Sequence, residues 1–110
     1  MSSTVRRDPI GAINLGHDHL GFKSQWAPDR ELNPQYEGIP DIPWCGLTIE
    51  HNNPQGEACS GHITFDLPGT ERWPNHKWQV VSFDPLHVEP SILCDCGDHG
   101  FIRNGQWEAA

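Results

Sequence analysis

Ser91-Ile92-Leu93-Cys94-Asp95-Cys96-Gly97-Asp98-His99-Gly100-Phe101-Ile102-Arg103-Asn104 sets a C-x-C-x-x-H cluster between two apolar, strand-like flanks. Two thiols and an imidazole fall close together, and Gly97 and Gly100 relax the backbone so that these side chains can turn toward one ion. The spacing reads as half of a metal site, with zinc the expected metal. Immediately downstream, Phe101-Ile102-Arg103-Asn104-Gly105-Gln106-Trp107 places Asn-Gly between strand-like flanks, which predicts a type I′ hairpin sealing one edge of a sheet.

Upstream of the cluster the pattern has period two. Gly46-Leu47-Thr48-Ile49-Glu50-His51 and Gly61-His62-Ile63-Thr64-Phe65-Asp66-Leu67 alternate as half-buried strands do. Asn52-Asn53-Pro54-Gln55-Gly56 between them is a turn cluster, so the pair reads as a hairpin. Lys77-Trp78-Gln79-Val80-Val81-Ser82-Phe83 makes a third strand. A fourth runs from about His87 to Cys94, with Pro90 marking a bend or an edge position.

Residues 1–43 show no sustained period, because Gly and Pro interrupt them every few positions. They read as an irregular arm with a short helical turn near Asp29 to Leu32. The arm carries too many apolar residues for a solvated tail (Ile10, Ile13, Leu15, Leu20, Phe22, Trp26, Tyr36, Ile39 and Ile42) and is expected to wrap the body or a partner. The expected architecture is therefore mainly β: a small antiparallel sheet domain over 44–110, stabilised by one zinc, with an irregular N-terminal arm over 1–43.

Bulk properties bound the function. At 110 residues the chain is one domain with a modest core, and 11 Gly and 10 Pro keep its regular elements short. The N-terminus Met-Ser-Ser-Thr-Val-Arg-Arg-Asp lacks the apolar run of a secretory signal, which favours a reducing cytoplasm and metal-ligating rather than disulfide-bonded cysteines. No apolar stretch is long enough to span a membrane. Net charge is −8, divided as −2 over residues 1–43 and −6 over the remainder. An acidic body is repelled by phosphate backbones, so direct nucleic-acid binding is disfavoured and protein partners are favoured.

A closed structural zinc site takes four Cys or His ligands. Two sets satisfy the spacing: Cys59, Cys94, Cys96 and His99, or the pseudo-symmetric pair of C-x-x-H knuckles Cys59, His62, Cys96 and His99. Reduced cysteines in a plain β core, or a Cys45–Cys59 disulfide, are the competing readings. His17-Asp18-His19 is a separate constellation, since H-x-H can ligate a catalytic metal in a hydrolase. Trp26 and Trp73 lie in Pro-flanked loops and, with Tyr36, are candidate anchors for a protein partner.

The stretch from Trp78 to Trp107 resembles a family of small proteins common in phages and prophages of actinobacteria. The resemblance lies in Pro90-Ser91-Ile92-Leu93-Cys94 followed by Cys96-Gly97-Asp98-His99-Gly100-Phe101-Ile102-Arg103-Asn104-Gly105-Gln106-Trp107, with a further likeness over residues 32–41. Where that family tends toward C-x-x-C before Gly-x-His, this chain has C-x-C. The resemblance implies a phage setting in bacterial cytoplasm, with a virion accessory role or modulation of a host protein. The leading expectation is thus a non-enzymatic zinc-binding protein acting through protein–protein contact. The alternatives are a small metal-dependent hydrolase using His17 and His19, and an acidic nucleic-acid mimic presenting Asp66, Glu71, Asp84, Glu89, Asp95 and Asp98 on one face.

Overall fold

Alternation of inward and outward side chains governs nearly every element of the chain. The computed structural model describes residues 5–7 as backbone and residues 12–110 with their side chains. Residues 1–4 and 8–11, Ile10 among them, lie outside the described residues. Among the described residues the strands are β1 (Val5–Arg7), β2 (Ile13–Gly16), β3 (His19–Trp26), β4 (Ile42–Asn52), β5 (Ala58–Phe65), β6 (Lys77–Phe83), β7 (Leu86–Leu93), β8 (His99–Arg103) and β9 (Gln106–Ala109).

Their order is β1-β3-β4-β5-β6-β7-β8-β9, with β2 sharing the β3 edge with β1. All pairings are antiparallel except β5–β6, which is parallel and rests on only two register pairs, Thr64↔Lys77 and Phe65↔Trp78. The sheet curls until β2 lies against β9, so the molecule is mainly β and nearly closed as a barrel.

The predicted hairpins form. His51 pairs with Cys59 and Asn52 with Ala58 across the β4–β5 turn. Asn104 (φ 53°) and Gly105 (φ 72°) make the β8–β9 turn with both central residues left-handed, the signature of type I′. Pro90 sits in β7, which has neighbours on both sides, and not at an edge. There the β7–β8 register jumps from Val88↔Ile102 to Ile92↔Gly100, a bulge that suits a residue without an N–H. The Trp78 indole donates to the Ser91 carbonyl in that bulge (3.2 Å).

The N-terminal region departs from expectation. Ile13–Gly16 and His19–Trp26 are strands, and β3 pairs with β4 from Leu20↔Glu50 to Trp26↔Ile42, so the boundary expected at residue 43 falls inside one continuous sheet. The reason is chemical. Buried positions of β3 are held by His19, Gly21 and Ser24 as well as Phe22 and Trp26, and they fall on both faces of the strand, so apolar alternation is hidden from a hydrophobicity count. Residues 27–41 do follow an irregular path. Asp29 Oδ1 accepts from the Glu31 and Leu32 amides (3.0 and 3.3 Å), closing the expected helical turn. The Arg30 guanidinium then ties the following 3-10 turn, Pro34–Tyr36, to Asp41 (2.6 Å).

Two apolar clusters fill the interior. The larger joins Leu15, Leu47, Ile49, Ile63, Phe65, Leu86, Val88, Ile92, Ile102 and Trp107. The smaller centres on Trp26, Ile42 and Cys45, with Tyr36 and Trp73 packed edge-on against Trp26 (5.2 and 6.2 Å between centroids) and Arg72 over its ring at 4.4 Å. Trp26 is 1% exposed, so it serves packing and is not the surface anchor its loop-like flanks predict; Tyr36 and Trp73 keep part of their surface.

Candidate metal centre

At one end of the barrel, inward alternation ends in metal-ligating atoms. On β4 the buried series Cys45, Leu47, Ile49 continues to His51. On β5 the same face carries Phe65, Ile63, Gly61 and Cys59, and His51↔Cys59 is a cross-strand pair, so the imidazole and the thiol lie side by side. On β7 the inward series Leu86, Val88, Ile92 leads to Cys94. Cys94 opens a tight turn in which the Gly97 amide donates to the Cys94 carbonyl (2.9 Å) and the Cys94 amide to the Asp98 carbonyl (2.8 Å). Gly97 sits at φ 97°, a conformation a side chain would strain, and this turn folds Cys96 back beside Cys94.

The ligand atoms of His51, Cys59, Cys94 and Cys96 all lie within 4.8 Å of one another. Cys59 and Cys94 are 3.5 Å apart, sulfur to sulfur, and Cys96 Sγ is 3.8 Å from His51 Nε2. Zinc bonded to sulfur and nitrogen at its usual lengths has tetrahedral edges of roughly 3.8 Å (S···S) and 3.5 Å (S···N). The group therefore has the size of a tetrahedral Cys₃His site before any ion is placed in it. An open cleft of about 330 Å³ is lined in part by His51 and Cys59.

Protonation points the same way. The hydrogen bond with Cys94, then burial and the nearby Cys96 sulfur, push the Cys59 thiol up to about 12. The Asp98 amide directed at Cys96 holds that thiol below the usual range. A bound divalent ion favours the thiolate form of its sulfur ligands.

Around this group is a polar and aromatic collar. Asp98 Oδ2 accepts from His19 Nε2 (2.6 Å) and lies 3.3 Å from His51 Nδ1, and His19 Nδ1 donates to the His17 carbonyl (2.7 Å). His19 is stacked between His51 (5.0 Å) and Trp107 (4.3 Å), with both pairs of planes nearly parallel. His19, His51 and Asp98 are also close enough to hold an ion. Yet donors 2.6 Å apart are closer than two ligands on one metal, whose separation at bonds near 2.0 Å is roughly 3.3 Å, and they have the spacing of a charge-assisted hydrogen bond.

Cys59, Cys94 and Cys96 thus converge, while His62 and His99 stand outside the group. His62 is outward on β5, its Nε2 bonded to the Ser24 hydroxyl (2.9 Å), and His99 is outward on β8, bonded to the Ser91 hydroxyl (2.9 Å). A strand reverses its face at every odd offset, so a C-x-x-H knuckle that runs into a strand directs its His away from its Cys. His51 takes the fourth corner, and counting register across the Asn52–Gly56 turn was the signal for it. Cys45 is buried apart from the group, and all four cysteines are free.

His17 and Asp18 occupy the β2–β3 turn at φ 52° and 63°, exposed, and His17 belongs to neither metal-capable group among the described residues. Of the acidic set, Asp98 turns inward onto the two histidines and Glu89 accepts from His87 (2.8 Å). Among the described residues no helix is long and apolar enough to cross a membrane. Compared with protein-family models, curated proteins and solved structures, the chain matches none.

Proposed function

We propose that this chain is a non-enzymatic zinc-binding protein in which His51, Cys59, Cys94 and Cys96 hold one structural Zn²⁺, and that it acts by contact with another protein. The convergence of one imidazole and three thiols within 4.8 Å carries the reading. Three thiolates favour zinc over the hard cations that oxygen ligands select, and four protein ligands leave no position for a reacting water. A hydrolase built on His17 and His19 has no such convergence behind it. The phage setting, with a virion component or a host protein as partner, rests on the motif from Cys96 to Trp107.

Elemental analysis of the purified protein tests the site. About one zinc per chain is expected, lost in Cys96→Ser and His51→Ala and kept in His17→Ala. A wild-type protein without zinc, or a folded His51→Ala with full zinc, overturns it.

A further inference from the structure

We infer that Asp98 is the positioning residue of this metal centre: it sets the tautomer of His51 and holds the cysteine turn in its ligating shape. The inference rests on the zinc reading above and extends it to a residue that is not itself a ligand.

An imidazole binds a metal through one nitrogen only if the other carries the proton, and whatever accepts that proton decides which nitrogen is free. In His51 the nitrogen facing the sulfurs is Nε2, 3.8 Å from Cys96. Nδ1 faces Asp98 Oδ2 at 3.3 Å. Asp98 therefore keeps the proton on Nδ1 and the lone pair on Nε2.

The same residue touches two more ligands through its backbone. Its carbonyl accepts from the Cys94 amide (2.8 Å), and its amide is directed at the Cys96 sulfur. Three of the four ligands are thus arranged by one residue, and the fourth, Cys59, is placed by its strand pairing with His51. Asp98 is held in turn by His19, whose ring is clamped between His51 and Trp107 and tied to the His17 carbonyl. An acid retained only for charge would not need this much fixing; one that must point a ring does.

The test compares wild type, Asp98→Asn, Asp98→Ala and Asp95→Ala, the last removing an exposed carboxylate from the same turn. Zn²⁺ affinity is measured by chelator competition. The Co²⁺-loaded forms are followed by thiolate charge-transfer absorption, and the His51 ring by ¹⁵N NMR of the zinc form. Removing such an orienting partner typically weakens metal affinity about 10–100-fold.

That loss is expected in Asp98→Ala, with partial recovery in Asp98→Asn, whose side-chain oxygen still accepts from Nδ1, and none in Asp95→Ala. Thiolate-to-cobalt bands persist in all, while the hydrogen-bonded Nδ1 proton of His51 disappears only in Asp98→Ala. If Asp98→Ala does not fold, Asp98→Asn decides by its affinity, expected to be weaker than wild type by more than twofold. Affinity within twofold of wild type in the Asp98 variants, an unchanged His51 signal in Asp98→Ala, or an equal loss in Asp95→Ala overturns the inference while leaving the zinc site standing. A wild type that binds neither Zn²⁺ nor Co²⁺ removes the zinc reading, and this inference with it.

Discussion

Three histidines near the cysteines compete for one ligand position, and single substitutions separate them. His51 is 7% exposed and faces the sulfurs, whereas His62 and His99 face outward onto serines. His51→Ala is expected to abolish stoichiometric zinc, and His62→Ala and His99→Ala to leave it unchanged, as read by elemental analysis of the three proteins side by side. The four thiols divide similarly. Cys45 is 2% exposed and burial raises its pKa, so it remains a protonated, shielded thiol at neutral pH. In the zinc-loaded protein no thiol should react quickly with an alkylating reagent. After chelation Cys94 and Cys96 should label ahead of Cys45, by peptide mass mapping; fast labelling of Cys45 in the folded protein contradicts this packing.

Two glycines show how an element depends on one missing atom. A Cβ on Gly100 would lie 2.5 Å from Trp107 Cε2 and 2.6 Å from the Glu108 carbonyl, so Trp107 packs only because β8 has no side chain there. Gly100→Ala is expected to cost about 1–3 kcal/mol, the usual range for overpacking, and to displace the ring on which His19 stacks. Gly105 meets only Pro85, at 3.8 Å, but sits at φ 72°, so Gly105→Ala adds backbone strain of about 1–2 kcal/mol and leaves the core intact. Thermal unfolding of both variants, with zinc content measured in parallel, distinguishes them: weaker metal retention belongs to Gly100→Ala alone.

At the scale of the molecule, the metal group bridges the weakest junction of the sheet. β5 and β6 share two register pairs, whereas β4 and β5 share seven, from Gly46↔Thr64 to Asn52↔Ala58. His51 and Cys59 stand on one side of that junction and Cys94 and Cys96 on the other. An ion held by all four staples the two halves, in addition to the Asp98–His19 bond and the Trp107 stack. Chelation should therefore lower the unfolding temperature by 10 °C or more, on the order expected from losing a few kcal/mol in a domain this size, and zinc should restore it. Hydrogen exchange should quicken first in the β7–β8 turn, β8 and β9, while β3 and β4 stay protected. Uniform exchange in the metal-free and metal-loaded protein would show that the pairing and packing suffice alone.

Much of this was legible in the chain. Asn104-Gly105 specifies its turn through backbone preferences that need no partner, and Lys77 to Phe83 reads as a strand from its own residues. Cys94 and Cys96 share one short turn, so their proximity is local. β3 was hidden because His19, Gly21 and Ser24 fill buried positions without looking apolar, and they are buried only once neighbouring strands and side chains cover them. The proposed fourth ligand and the acid proposed to orient it were hidden for a related reason. His51, Asp98 and His19 come from three distant segments, and which of them meet depends on strand register, on the face each alternation presents and on the near-closure of the barrel. Local chemistry is written in neighbouring residues, whereas a site assembled across a curled sheet exists only once every strand has taken its place.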